Sequence, residues 1–359
     1  MKKLYTLIAA MFCCALAFSQ EAEESETSTK AGLTDLQLIL RADATPVVPR
    51  NGAGKSNFSF DRSSIYTIVA GDIGGGFSFY LHNHWFAPHP EELYNKTGHS
   101  DYTNWIDYAQ LTYTTGNWAF DLGKGMIPIA DWNNDPYDWE VSTIANTFFY
   151  NSVQSYQYGI NAAYTAESIN STFKVNVSTS PFGEKFFSSK KYSYSLNWTG
   201  EFGVWQPMAS FTYADGYEGD QGFGIFAFGN KFNFDKFTVT LDYINMTDTW
   251  SSPLRRTTVD LALQYKISEA FDICLKGGYE SNGEGEDLLG WDETLEYGYV
   301  PTYMDKDYKF GSISMNIYPL RNNKDLRILF NAAINNYSDN LAMNIGVLYV
   351  LDFMKFINK

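Results

Sequence analysis

A chain of 359 residues, 17% aromatic and with a formal charge of −15, is long enough for one large β domain or two smaller ones. The acidic balance argues against a nucleic-acid partner, which needs a basic face. No phosphate-binding or dinucleotide-binding glycine motif is present and no nucleophile motif stands out, so the sequence suggests no cofactor and no enzyme.

Residues 1–19 read MKKLYTLIAAMFCCALAFS, with Lys2 and Lys3 before an apolar run from Leu4 to Phe18. Small residues at Ala17 and Ser19 complete the pattern of a cleaved signal peptide, and Gln20 becomes the new amino terminus. Cleavage removes Cys13 and Cys14, leaving Cys274 alone, so no intrachain disulfide is expected. Residues 20–34, rich in Glu, Ser and Thr, are expected to form a disordered acidic tail. No later stretch approaches a transmembrane helix. An exported chain of this kind is periplasmic, extracellular or a barrel in the outer membrane.

From residue 35 the hydrophobic period is two. Sixteen strands are expected, at 35–43, 57–70, 74–85, 103–113, 117–124, 154–164, 170–178 and 191–199, then 204–214, 222–232, 236–246, 257–266, 270–280, 308–318, 325–335 and 342–353. Phe237, Val239, Leu241 and Tyr243 oppose Thr238, Thr240 and Asp242, and Val259, Leu261 and Leu263 oppose Thr258, Asp260 and Gln264. A soluble sandwich would alternate too, but here long and short connections also alternate, as they do in an up-and-down barrel with short periplasmic turns. Aromatic residues on the apolar face gather at strand ends, with Tyr113, Trp118, Trp198, Trp205 and Tyr265 near short turns and Tyr156, Tyr192, Tyr213 and Tyr279 near long ones. Tyr and Trp, apolar with a polar edge, suit the two membrane interfaces. The expected fold is all-β: a transmembrane up-and-down antiparallel barrel over residues 35–359, in contact with outer-membrane lipid.

Two stretches carry candidate chemistry. His82 and His84 lie two apart on a polar face, a spacing that suits a transition metal. No third ligand can be named from sequence, so they read as a hydrated pair and no metal site is assigned. Residues 125–153 show no alternation, and structureless connections of that length are uncommon unless functional or disordered. Asp131, Asp135, Asp138 and Glu140 cluster there, with Lys124 just before them, and the segment reads as a pore-constricting loop. Asp131, Asn133 and Asp135 alternate as in a calcium loop, but Pro136 and Ser142 stand where that loop needs Gly and Glu.

NFSFDRSSIYTIVAGDIGGGFSFYLHNHW, from Asn57 to Trp85, and WIDYAQLTYTTGNWAFDLGKGMIPIADW, from Trp105 to Trp132, resemble the phosphate-selective porin O/P type of bacterial outer-membrane porin. The resemblance is specific over 57–132 and architectural beyond. It implies a sixteen-stranded barrel in the bacterial outer membrane, usually a homotrimer, with the loop after the fifth strand folded into the lumen. Relatives selective for phosphate line the pore with Arg and Lys. In this chain Arg41, Arg62, Lys124, Lys174 and Arg327 are expected to face inward, opposed by Asp107, Asp121, Asp242 and Asp260. The expected function is passive diffusion of small hydrophilic solutes or ions, with selectivity set by an acidic loop and a mixed-charge lumen. A barrel serving as adhesin or receptor with a closed pore is the alternative.

Overall fold

The computed structural model describes residues 31–49, 57–60, 63–86, 106–133, 145, 147, 149, 153, 155–182, 190–218, 221–247, 256–281, 296–297, 300–301, 306–321, 323–337 and 340–357. The signal peptide, Arg62, Asp135, Asp138 and Glu140 lie outside these residues, as does the expected acidic tail up to Lys30.

Sixteen strands form one closed antiparallel barrel. In chain order they are β1 (Gly32–Pro49), β2 (Ser64–Gly74), β3 (Phe77–Phe86), β4 (Ile106–Thr115), β5 (Trp118–Met126), β6 (Tyr156–Ala166), β7 (Ser171–Thr179) and β8 (Tyr192–Gly200). The second half comprises β9 (Trp205–Glu218), β10 (Gln221–Asn233), β11 (Phe237–Thr247), β12 (Thr257–Ser268), β13 (Phe271–Glu280), β14 (Tyr308–Ile317), β15 (Leu326–Asn335) and β16 (Asn340–Asp352). Each pairs with its neighbours in sequence, and β1 closes the ring by pairing with β2 on one edge and β16 on the other. Among the described residues, no helix is long and apolar enough to cross a membrane, which says nothing of a barrel.

The alternation seen in sequence becomes two faces. Outside, Leu241 stands opposite Leu261, Leu111 opposite Leu122, and Leu275 opposite Ile313, and all six are exposed. Inside, Thr212, Asp242, Asp260 and Asn344 are buried. An apolar outer belt with a polar interior is the arrangement lipid selects, because a closed ladder leaves no backbone group unpaired in hydrocarbon. Rings crowd the short-turn rim, with Phe77 4.7 Å from Tyr113 and Trp118 4.9 Å from Tyr164.

Several expected boundaries shift by a few residues, and four of the differences have a clear local reason. The barrel starts at Gly32, not 35, because Gly32 and Leu33 already pair with Asp72 and Gly71. The run 57–70 is not one strand: Asn57–Ser59 pairs with the end of β1, and β2 begins only at Ser64. Ser63 makes the break, its N–H donating to the Phe60 carbonyl and its hydroxyl to the Asp43 carbonyl. The expected link at 215–221 is mostly strand. Glu218 pairs directly with Gln221 across a bulge, and Gly216, at φ +89°, supplies the left-handed backbone the bulge needs. Finally, Gly125 and Met126 still pair with β6, so the long loop spans 127–155.

Candidate functional site: a loop docked inside the barrel

Pro128 ends the β5 ladder because it has no N–H to offer. The backbone then folds tightly, Ile129 N–H donating to the Ile127 carbonyl and Asp131 N–H to that of Ile129, both at 2.9 Å. Ile127, Ile129, Ala130, Ala145, Phe149 and Val153 are buried. They pack against Met208, Ile225, Ala227, Ile244 and Met246 of β9–β11 and against Tyr308 and Phe310 of β14. This sector of the inner wall is therefore apolar, and the loop covers it. Burying each large side chain of this kind contributes roughly 1.5–3 kcal/mol.

Polar contacts fix the register of the docked loop. The Ala130 N–H donates to Ser210 Oγ at 2.8 Å, and the Trp132 indole N–H to the Gln206 carbonyl at 3.0 Å. Trp132 lies against Gly229, where an added Cβ would come within 3.0 Å of the ring, and the Lys231 ammonium sits 4.8 Å from a Trp132 ring centroid. Asn133 donates to Asp242 Oδ2 twice, from its backbone N–H (2.8 Å) and its amide (2.6 Å), and accepts from the Thr240 hydroxyl at 2.8 Å. Near the loop's far end, the Phe149 N–H donates to Glu280 Oε1 at 3.0 Å.

The structure brings Asp131, Asp242 and Asp260 together in this seam. Asp131 is buried, and its carboxyl is pushed well up, first by burial and then by the adjacent Asp242. Asp260 is paired with Lys276 at 3.2 Å. The other expected lumen charges lie elsewhere on the inner face. Lys124 is buried at the foot of the loop, 5.8 Å from the Tyr158 ring centroid. Asp121 accepts from the Thr112 hydroxyl at 2.7 Å, and Lys174 lies between Ala163 and Asn197 on the adjacent strands. On β1, Arg41 pairs with Asp43 at 2.7 Å, and Asn344 donates to the same carboxylate. Arg327 and Arg41 flank Leu348 from the two neighbouring strands. Asp107 lies with His82 and His84.

A carboxyl whose pKa is raised in the fold favours docking while protonated, and that stabilisation fades as pH rises through the raised value. Raising the pH upward from the ordinary carboxyl range should therefore loosen the loop and increase current fluctuations in single-barrel recordings. Asp242, Asp260 and Lys276 face the same carboxyl, so Asp131→Asn should flatten this response without removing all of it. Equal pH sensitivity in Asp131→Asn and the unmodified chain would show that Asp131 is not the responsible group.

The sequence matches no family of known proteins and no curated protein. Solved structures do match. The outer-membrane channel DcaP of Acinetobacter baumannii superposes with a TM-score of 0.60 at 13% identity, covering 92% of this chain and 99% of that one. The anion-selective porin from Comamonas acidovorans gives 0.58 at 9% identity, covering 90% and 100%. The trimer form of OmpT, an outer membrane protein of Vibrio cholerae, gives 0.55 at 11%, covering 89% and 99%. This chain has the fold of the outer-membrane porins.

Within that porin fold, sequence reasoning missed the apolar inner wall, Trp132 and Asn133 as anchors, and Glu280 as a receiving group. A signal for the wall was present. The alternation of β11 holds through Tyr243, then breaks, because Ile244 and Met246 are apolar on the face that Asp242 shares. A strand that turns apolar on its inner face near one end has something packed against it from inside.

Proposed function

We propose that this chain is a porin of the bacterial outer membrane, exported by its amino-terminal signal, which passes small hydrophilic solutes or ions by passive diffusion. What supports this most is the loop docked on the inner wall of a closed barrel, since a segment held there narrows the bore as a constriction does. The resemblance to the phosphate-selective O/P type and the trimeric form of one structural neighbour also favour a homotrimer.

On selectivity, we favour weak cation preference. Asp131 is buried against the inner wall, so the reading rests on Asp135, Asp138 and Glu140, all on the same loop with no Lys or Arg among them. Carboxylates at a narrow, poorly screened point hold cations more strongly than in open water. A salt-gradient measurement in a planar bilayer should give a reversal potential of cation sign that fades at high ionic strength. Changing Asp135, Asp138 and Glu140 together to Asn or Gln should abolish or invert it, whereas Asp131→Asn should leave it in place. Strong anion preference in the unmodified channel would overturn this and restore the phosphate-type reading, with Arg41 and Arg327 as the natural anion contacts.

The closed-pore receptor reading has one observation in its favour: Arg41, Asp43, Lys124, Asp242, Asp260 and Lys276 all face inward yet are almost fully buried. A folded barrel that shows no conductance would select it.

A further inference from the structure

His82 and His84 project inward from β3, and the register of β3 against β4 slips between His82 and Asn83. That slip brings Asp107, near the start of β4, between the two rings. A single carboxylate oxygen, Asp107 Oδ2, lies 3.4 Å from His82 Nδ1 and 2.9 Å from His84 Nδ1. One donor atom from each of the three residues falls within 4.8 Å of the others. Tyr66 on β2 orients both rings: it stacks on His82 at 5.7 Å and meets His84 edge-on at 4.4 Å. His82 is wholly buried, while His84 keeps 13% of its side chain exposed.

We propose that His82, His84 and Asp107 form a binding site for a late first-row divalent ion, of which zinc is the representative, set in the inner wall toward the long-loop end of the barrel. Three things favour an ion over a merely hydrogen-bonded cluster. The donor set of two imidazoles and one carboxylate is the one such ions prefer over calcium or magnesium, which need oxygen cages. The two separations from Asp107 Oδ2, 2.9 and 3.4 Å, suit the geometry, because tetrahedral donors with bonds of about 2.0–2.1 Å stand roughly 3.3 Å apart. The rings are held in place by Tyr66, and preorganised ligands bind more tightly. Three protein ligands leave the fourth position for water or a passing solute. Lys124 also faces Asp107 across the hairpin, so the ion competes with an ammonium for the same carboxylate. This site does not depend on the barrel conducting.

The test is direct binding to the purified full barrel in detergent, with heat-modifiable gel migration confirming the fold. Zinc is titrated against a chromophoric chelator, and cobalt is added separately for its visible spectrum. One zinc per barrel is expected, with an intense, low-coordinate cobalt band. His84→Ala and the isosteric Asp107→Asn should each weaken binding by at least about tenfold. Glu269→Gln, exposed between β12 and β13 and paired with Lys266, should leave it unchanged. No zinc binding by the folded chain would overturn the proposal. So would binding that survives His84→Ala and Asp107→Asn, or one lost in Glu269→Gln. If a cluster variant does not fold, the cobalt spectrum of the unmodified barrel decides: a weak six-coordinate band counts against the site.

Discussion

Deleting residues 128–147 should leave a folded barrel that conducts several times more current than the intact chain. Among the described residues between β5 and β6, Ile127 extends the pairing by donating its N–H to the Ser155 carbonyl, and both lie outside the deletion; the other backbone bonds are local turns or reach side chains of the wall, as Ala130 N–H reaches Ser210. The sixteen-stranded ladder therefore survives the deletion. The inner wall, however, is left with Met208, Ile225, Ile244 and Met246 facing water where they now meet Ile129 and Ala130. At roughly 25 cal/mol per Å² of apolar area, a few kcal/mol of stability should be lost, a modest loss for a closed barrel. Asp242 loses two hydrogen bonds from Asn133 but gains water, so its exposure adds little further cost. Single-barrel conductance checks the prediction. Unchanged conductance with normal folding would place the loop outside the conducting path. Failure to fold would make the loop part of the core and favour the closed-pore reading.

The second large effect is on stability. Leu241→Arg should cost about 2–4 kcal/mol, the cost of a cation on the lipid face near mid-membrane. Leu241 is exposed and sits opposite Leu261 in the outer belt, so the guanidinium would enter hydrocarbon with no partner beside it. Thr240, one residue away, points inward to Asn133. Thr240→Arg should let the barrel assemble and disturb the loop instead. Urea titration with heat-modifiable gel migration separates the two. Equal folding defects in both variants would undo the assignment of faces.

The strands were legible because lipid and lumen impose opposite demands on successive residues. Leu241 and Asp242, or Leu261 and Asp260, could hardly be read otherwise. Breaks inside strands were less legible, because they depend on partners far away in sequence: the gap between Ser59 and Ser64 exists because Ser63 bonds to Asp43. The site was half legible. That the segment after β5 was exceptional followed from its lost alternation, but its acidic residues drew attention away from Ile127, Ile129 and Phe149, which anchor it. Asp131 read as one of the constriction's carboxylates, and the structure buries it against the wall. His82 and His84 were visible as a pair. Asp107 was not, since only the slipped register across the intervening connection brings it to them.

The pairing of β1 with β16 has a consequence for biogenesis. Asn344 reaches Asp43 across the whole length of the chain, and Gln37 faces Asp352. The first strand to leave the ribosome thus waits for the last. Until the carboxyl-terminal strand arrives, both sheet margins carry unpaired amides, which hydrocarbon does not tolerate and which invite strand exchange with other chains. Co-translational insertion from the amino terminus is therefore closed to this protein. It must be delivered entire, kept from collapsing on the way, and zipped shut in one concluding event, so truncation at either end should trap an open sheet rather than yield a smaller channel.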